Sequence, residues 1–167
     1  MTLPKPLQKL IDDLGAAITA PPAQLAEEVM AALHASVTEN KWLPPERRRA
    51  SHDRYARHLL YGDPGGRFSI LAIVWDHGQM SPIHGHHTWC AVGVYSGVLT
   101  ESFYRENAGG APELLRTMRR AAGDSSFDPS LNAVHRIANE SGAPAVSLHV
   151  YGVGSDHIAT GVNRVLG

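Results

Sequence analysis

His84 and His86 stand two residues apart in the segment from Gly78 to Gly97, which reads Gly-Gln-Met-Ser-Pro-Ile-His-Gly-His-His-Thr-Trp-Cys-Ala-Val-Gly-Val-Tyr-Ser-Gly. Successive side chains of a strand point to opposite faces. These two imidazoles therefore project together and can grip one metal ion from adjacent rungs, while His87 points away. His149 offers a third imidazole. It lies in Ala-Val-Ser-Leu-His-Val-Tyr-Gly, where Val146, Leu148 and Val150 alternate with Ser147, His149 and Tyr151, so it takes the polar or inward face. Three imidazoles at a barrel mouth suit a divalent first-row transition metal and leave positions open for a substrate. The competing reading, three unrelated surface or core histidines, is disfavoured by the flanking glycines and the Pro82-Ile83 lead-in. His135 has no local spacing that makes it a ligand, which leaves it a structural or substrate-pocket histidine. His77 and His87 fall at loop and outer-face positions, and Trp89 reads as packing.

These residues need a frame to hold them. In the first third, Leu7, Leu10, Ile11 and Leu14 keep helical spacing, and a second helix opening near Pro21-Pro22 carries Leu25, Val29, Ala32 and Leu33 on one side. A third helix after Pro44-Pro45 is expected to carry Arg54, Tyr55, Arg57 and His58 towards Leu60, ending at Gly62-Asp63-Pro64-Gly65-Gly66. From Arg67 the pattern turns to strands: Phe68 to Trp75, Ala91 to Tyr95, Val98 to Tyr104 after a Ser96-Gly97 turn, Leu114 to Met118, Ala133 to Ile137, Ala145 to Tyr151 and a terminal segment through Val162. Asn107 to Pro112 reads as a loop. Helices first and short antiparallel strands after predict an α+β, mainly β chain. The expected form is a single domain, 1–167, with N-terminal helices over 1–62 and a small barrel or double-stranded β-helix over 67–167.

Composition narrows the function classes. The chain has 167 residues, 43% hydrophobic and 19% charged, which suits one domain with a full core. Fifteen basic against sixteen acidic residues give no general attraction to nucleic acid or anionic lipid. The Arg47-Arg48-Arg49 cluster reads as a solvated helix face. A single cysteine excludes an intrachain disulfide, and no apolar run reaches the roughly 18 residues of a membrane span, so a cytoplasmic location is expected.

The glycine before the His-x-His pair and the one that closes the next strand resemble the first motif of the cupin superfamily, in which a glutamate usually follows the second histidine. Here Cys90 stands four residues on. Ile83-His84-Gly85-His86 with Cys90, Ala145 to Tyr151, the His135-Arg136-Ile137-Ala138-Asn139 core within Leu131 to Asn139, and Tyr55-Ala56-Arg57-His58 together resemble the thiol dioxygenases of the cysteine dioxygenase type, in family order over roughly residues 50 to 155. The resemblance implies a jelly-roll cupin barrel, Fe(II) held by His84, His86 and His149, and oxidation of a small carboxylated thiol to its sulfinate with O₂. It also implies that Arg57 binds the substrate carboxylate and that Tyr55 lies beside the substrate. A surface salt-bridge arginine and a packing tyrosine are the alternatives.

Cys90 matches the cysteine that animal members crosslink to a tyrosine near the C-terminus. No tyrosine follows Tyr151, so Cys90 is expected to remain a buried thiol beside the site. The family's Ser-His-Tyr relay finds no counterpart in this reading, since Ser155 and His157 are followed by Ala159 where a tyrosine is needed. Three readings follow: a thiol dioxygenase, another metal-dependent cupin enzyme, or a cupin that senses a metal or a small acid without catalysis.

Overall fold

The computed structural model describes residues 3–39, 41–129, 133–158 and 163–166. Two helices lead, α1 (Lys5–Thr19) and α2 (Leu25–Thr38), followed by a 3₁₀ turn at Pro45–Arg47. Ten strands come next: β1 (Ala56–Gly62), β2 (Ser69–Trp75), β3 (His84–His86), β4 (Cys90–Ser96), β5 (Val98–Glu106), β6 (Pro112–Ala121), β7 (Ser125–Asp128), β8 (Val134–Ala138), β9 (Ala145–Tyr151) and β10 (Asn163–Val165). They form two antiparallel five-stranded sheets, ordered β1-β2-β9-β4-β7 and β10-β3-β8-β5-β6. The two sheets close on each other as a double-stranded β-helix. Among the described residues no helix is long and apolar enough to cross a membrane.

The helical stripes do the work their spacing implies. Leu7, Leu10, Ile11 and Leu14 of α1 and Val29, Ala32 and Leu33 of α2 are buried in one cluster with Ile70, Ala72, Val74, Val146, Leu148 and Val150. Those last six alternate along β2 and β9, so the helices cover the outer face of the first sheet. Their neighbours Leu71, Ile73, Val92, Val94 and Ile137 make a second cluster inside the barrel. Because β2 is buried on both faces, it reads as a continuous apolar run without alternation. Gly97 turns the chain between β4 and β5 at φ +79°, a conformation that a side chain disfavours.

Three elements differ from the sequence expectation: β7 and β10 fall where no strand was predicted, and β1 replaces a predicted helix. The helix predicted through Arg54 to Leu60 is absent. Residues Ala56–Gly62 form β1, which pairs with β2 and places Arg57 opposite Ile73. The barrel thus starts at Ala56 rather than at Arg67. Local helical spacing was outweighed by the backbone hydrogen bonds and apolar surface that β2 offers at its edge. Leu131, Ala159 and Val162 lie outside the described residues.

Candidate metal centre

The short strand β3 delivers His84 and His86 to the barrel interior, and β8 runs beside it with His135 directly opposite His84. Ring centroids lie 4.9 Å apart for His84 and His86, 4.7 Å for His84 and His135, and 5.0 Å for His86 and His135. One nitrogen from each of the three lies within 4.8 Å of the others, and all three side chains are buried. The other nitrogen of each ring is engaged elsewhere. Nδ1 of His84 lies 2.9 Å from the Pro82 carbonyl, Nδ1 of His86 3.5 Å from Asp128 and Nδ1 of His135 3.0 Å from Glu101. An imidazole whose Nδ1–H is donated outward presents a bare Nε2 lone pair. Nε2 of His135 is buried and has no hydrogen-bond partner among the described residues.

Burial, reinforced by the neighbouring His135, pushes His84 down to about 3, and burial likewise lowers His86 although Asp128 opposes it. These two rings are therefore neutral at physiological pH, the state a metal needs. Three imidazole nitrogens that converge in a buried space fit a divalent transition metal.

His149 is placed differently. It sits on β9 in the opposite sheet, close enough for the three histidines to lower its affinity for protons, after burial itself, yet outside their group. Both its nitrogens are already engaged: Nε2 lies 2.9 Å from Ser147 Oγ and Nδ1 lies 3.4 Å from the Tyr151 hydroxyl. Trp75 Nε1–H donates to the same Ser147 oxygen at 2.9 Å. Ser147, His149 and Tyr151 thus form a chain along one face of β9. Of the expected set His84, His86 and His149, the structure brings the first two together with His135 and leaves His149 outside their group.

Tyr55, Arg57, Ser81, His84, His149 and Tyr151 line a common cavity. Tyr55 and Arg57 also line an outer cleft of about 500 Å³, so they stand where the inner cavity meets the surface. Tyr55 stacks on Trp75 with centroids 4.6 Å apart. Cys90 is buried, and burial raises its thiol pKa, with Asp128 and Glu101 adding to the effect. In the pairing of β4 with β9, Cys90 stands directly opposite Tyr151. The sequence reading looked for a partner beyond Tyr151, and the structure puts Tyr151 itself across from the thiol. Ser155 and His157 lie on an exposed 3₁₀ turn instead.

The sequence profile of cysteine dioxygenase type I matches residues 4–160. The chain belongs to the cysteine dioxygenase type I family. It is 30% identical over 103 residues to human cysteine dioxygenase type 1, covering 59% of this chain and 50% of that protein. Against the zebrafish (Danio rerio) protein of the same name it is 30% identical over 104 residues, with 59% and 51% covered. The chain thus spans about half the length of the curated relatives it matches. A double-stranded β-helix protein of Klebsiella pneumoniae superposes with a TM-score of 0.54 at 18% identity, covering 77% of this chain and 98% of that one. A cupin superfamily protein of Desulfitobacterium hafniense gives a TM-score of 0.52 at 13% identity, with 69% and 93% covered. Both carry the fold argument alone.

Two features escaped the sequence reading, the membership of His135 in the cluster and the chain Ser147, His149, Tyr151. A signal existed for each. His135 lay in a family-like segment, but ligands on different strands obey no sequence spacing. Ser147, His149 and Tyr151 follow the period of 2 that puts them on one face.

Proposed function

We propose that this protein is an Fe(II)-dependent thiol dioxygenase that oxidises a small carboxylated thiol to its sulfinic acid, taking up both atoms of O₂. The observation that carries this reading is the convergence of His84, His86 and His135, with every Nδ1 facing an acceptor, one of them, His84, lining a cavity that Arg57 borders. His84, His86 and His135 would hold the iron through Nε2. Bound there, Fe(II) would supply the redox chemistry that lets O₂ react with a thiol. Three neutral imidazoles leave its double charge uncompensated, so an anionic thiolate is the favoured substrate form.

Arg57 supplies the complementary half of recognition. Its guanidinium offers parallel donors to a carboxylate and fixes the direction from which the sulfur approaches. Tyr55, held against Trp75, shapes the entrance. The hydrogen-bonded chain from Ser147 through His149 to Tyr151 holds the tyrosine hydroxyl at the cavity wall, where it can donate to or accept from the substrate. Apolar Ile73 and Ile137 line the remainder and limit water.

Oxygen consumption by the iron-loaded protein tests this directly against cysteine, 3-mercaptopropionate, mercaptosuccinate and cysteamine. Carboxylated thiols should be turned over with sulfinate as product, and cysteamine refused. Arg57→Ala should raise the Michaelis constant and slow turnover, since each lost charge-assisted hydrogen bond is worth about 1.5 to 3 kcal/mol. Absence of turnover with every thiol, in a protein that still binds iron, would favour a sensing cupin.

A further inference from the structure

Glu101 lies on β5, the strand on the far side of β8 from β3, and its carboxylate is buried with 4% of its surface exposed. Its Oε1 accepts from His135 Nδ1 at 3.0 Å and, more weakly, from Ser126 Oγ at 3.3 Å. Its Oε2 accepts from Arg120 Nε at 2.9 Å, and the Arg120 side chain is itself only 18% exposed. A buried carboxylate is costly unless its oxygens are satisfied, and here each has a partner. The three clustered histidines are backed unequally. Among the described residues, His84 faces a backbone carbonyl and His86 the Asp128 carboxylate at 3.5 Å, whereas His135 has the Glu101 carboxylate closer, at 3.0 Å.

We propose that Glu101, anchored by Arg120, is a positioning residue that fixes the Nε2-facing tautomer and the ring plane of His135 and makes this imidazole the strongest donor of the three. The proposal rests on the reading of His84, His86 and His135 as metal ligands. A carboxylate accepting from Nδ1–H draws the proton towards itself and raises the electron density at Nε2. An amide of the same shape still accepts the hydrogen bond but lacks the charge. The bare, buried Nε2 of His135 is the atom that this arrangement serves.

The test uses Fe(II) alone, titrated anaerobically against a competing chelator, with parent protein, Glu101→Gln, His135→Ala and the double variant Glu101→Gln/Arg120→Met. The double variant removes the cation that the single substitution strands, so it guards against loss of folding. Fe(II) affinity should fall by about 10- to 100-fold in Glu101→Gln and stay low in the double variant, whose melting temperature returns towards the parent's. The electron paramagnetic resonance spectrum of the nitric oxide-treated Fe(II) protein should change in both. Parent-like affinity and spectrum in folded Glu101→Gln would overturn the proposal, as would recovery of affinity in the double variant. His135→Ala separates the two levels of the argument. Loss of Fe(II) binding there with parent-like Glu101→Gln rejects the role of Glu101 alone, and retained binding there rejects the three-histidine reading and the proposal with it.

Discussion

A histidine ligates a metal only through a nitrogen that nothing else has claimed, and this criterion separates His135 from His149. Among the described residues Nε2 of His135 has no hydrogen-bond partner, while His149 is engaged at both ends by Ser147 and Tyr151. On the proposed function, iron content should drop to background in His135→Ala, whereas His149→Ala should keep its iron and lose turnover on the order of 100-fold or more, because the Tyr151 hydroxyl it holds at the cavity wall is released. Metal analysis beside oxygen uptake distinguishes the two, and an iron-free His149→Ala would reverse the assignment. The register of Cys90 opposite Tyr151 has its own consequence. With O₂ as oxidant, formation of a bond between the sulfur and a ring carbon removes the S–H and one ring C–H. Aerobic turnover should then lighten the intact protein by two hydrogens, and Tyr151→Phe should abolish the change. An unchanged mass after prolonged turnover would leave Cys90 a plain buried thiol. At this scale the sequence was half legible. His84 and His86 are local in the chain, so strand period alone paired them. The third member comes from a strand that meets β3 only through sheet pairing, and no local pattern reports that.

Elements carry a different kind of information. Helix α2 packs across β4 at Gly93, where an added Cβ would come within 2.9 Å of Leu33 and Val37. Gly93→Ala should therefore cost about 1 to 3 kcal/mol by overpacking, read as a lower denaturant midpoint, and a shorter residue at Leu33 should restore part of it. The turn between β1 and β2 holds a second test. Asp63 accepts from the backbone N–H, Nε and Nη2 of Arg67 at 3.1, 2.9 and 2.8 Å, which lowers its carboxyl from 3.8 to about 2 despite the cost of burial. A carboxyl depressed by folding adds stability above its unfolded pKa and loses it as the pH falls through the folded value. Asp63→Asn should accordingly melt at a lower temperature than the parent at neutral pH, with the gap closing as pH falls from about 4 towards 2. A gap that stays constant over that range would assign the effect to shape. The two helices follow from apolar spacing because each spends its periodicity on a single buried face, whereas β2 and β4, buried on both faces, show as apolar runs. β1 was misread because its burial alternates only weakly, and what makes it a strand is the edge of β2.

Across the whole molecule, the helical layer and the barrel bury two separate apolar clusters on either side of the first sheet. The alternation along β9 made both faces visible in the sequence, but not which strands of the second sheet would close over them. Order within that sheet depends on crossovers such as β3 to β8, which only the folded chain displays. The same division assigns the residues of the centre to opposite walls. His84, His86, His135 and Glu101 all belong to the second sheet, while Arg57, Ser147, His149 and Tyr151 belong to the first. One wall can therefore diverge while the other is held constant. On the proposed function, a lineage, or a laboratory library, could exchange the first sheet's side chains to admit a longer or differently charged thiol without touching the three histidines or Glu101. Under that function, new substrate ranges should be reachable in few steps from this scaffold, with the three-histidine wall inherited whole.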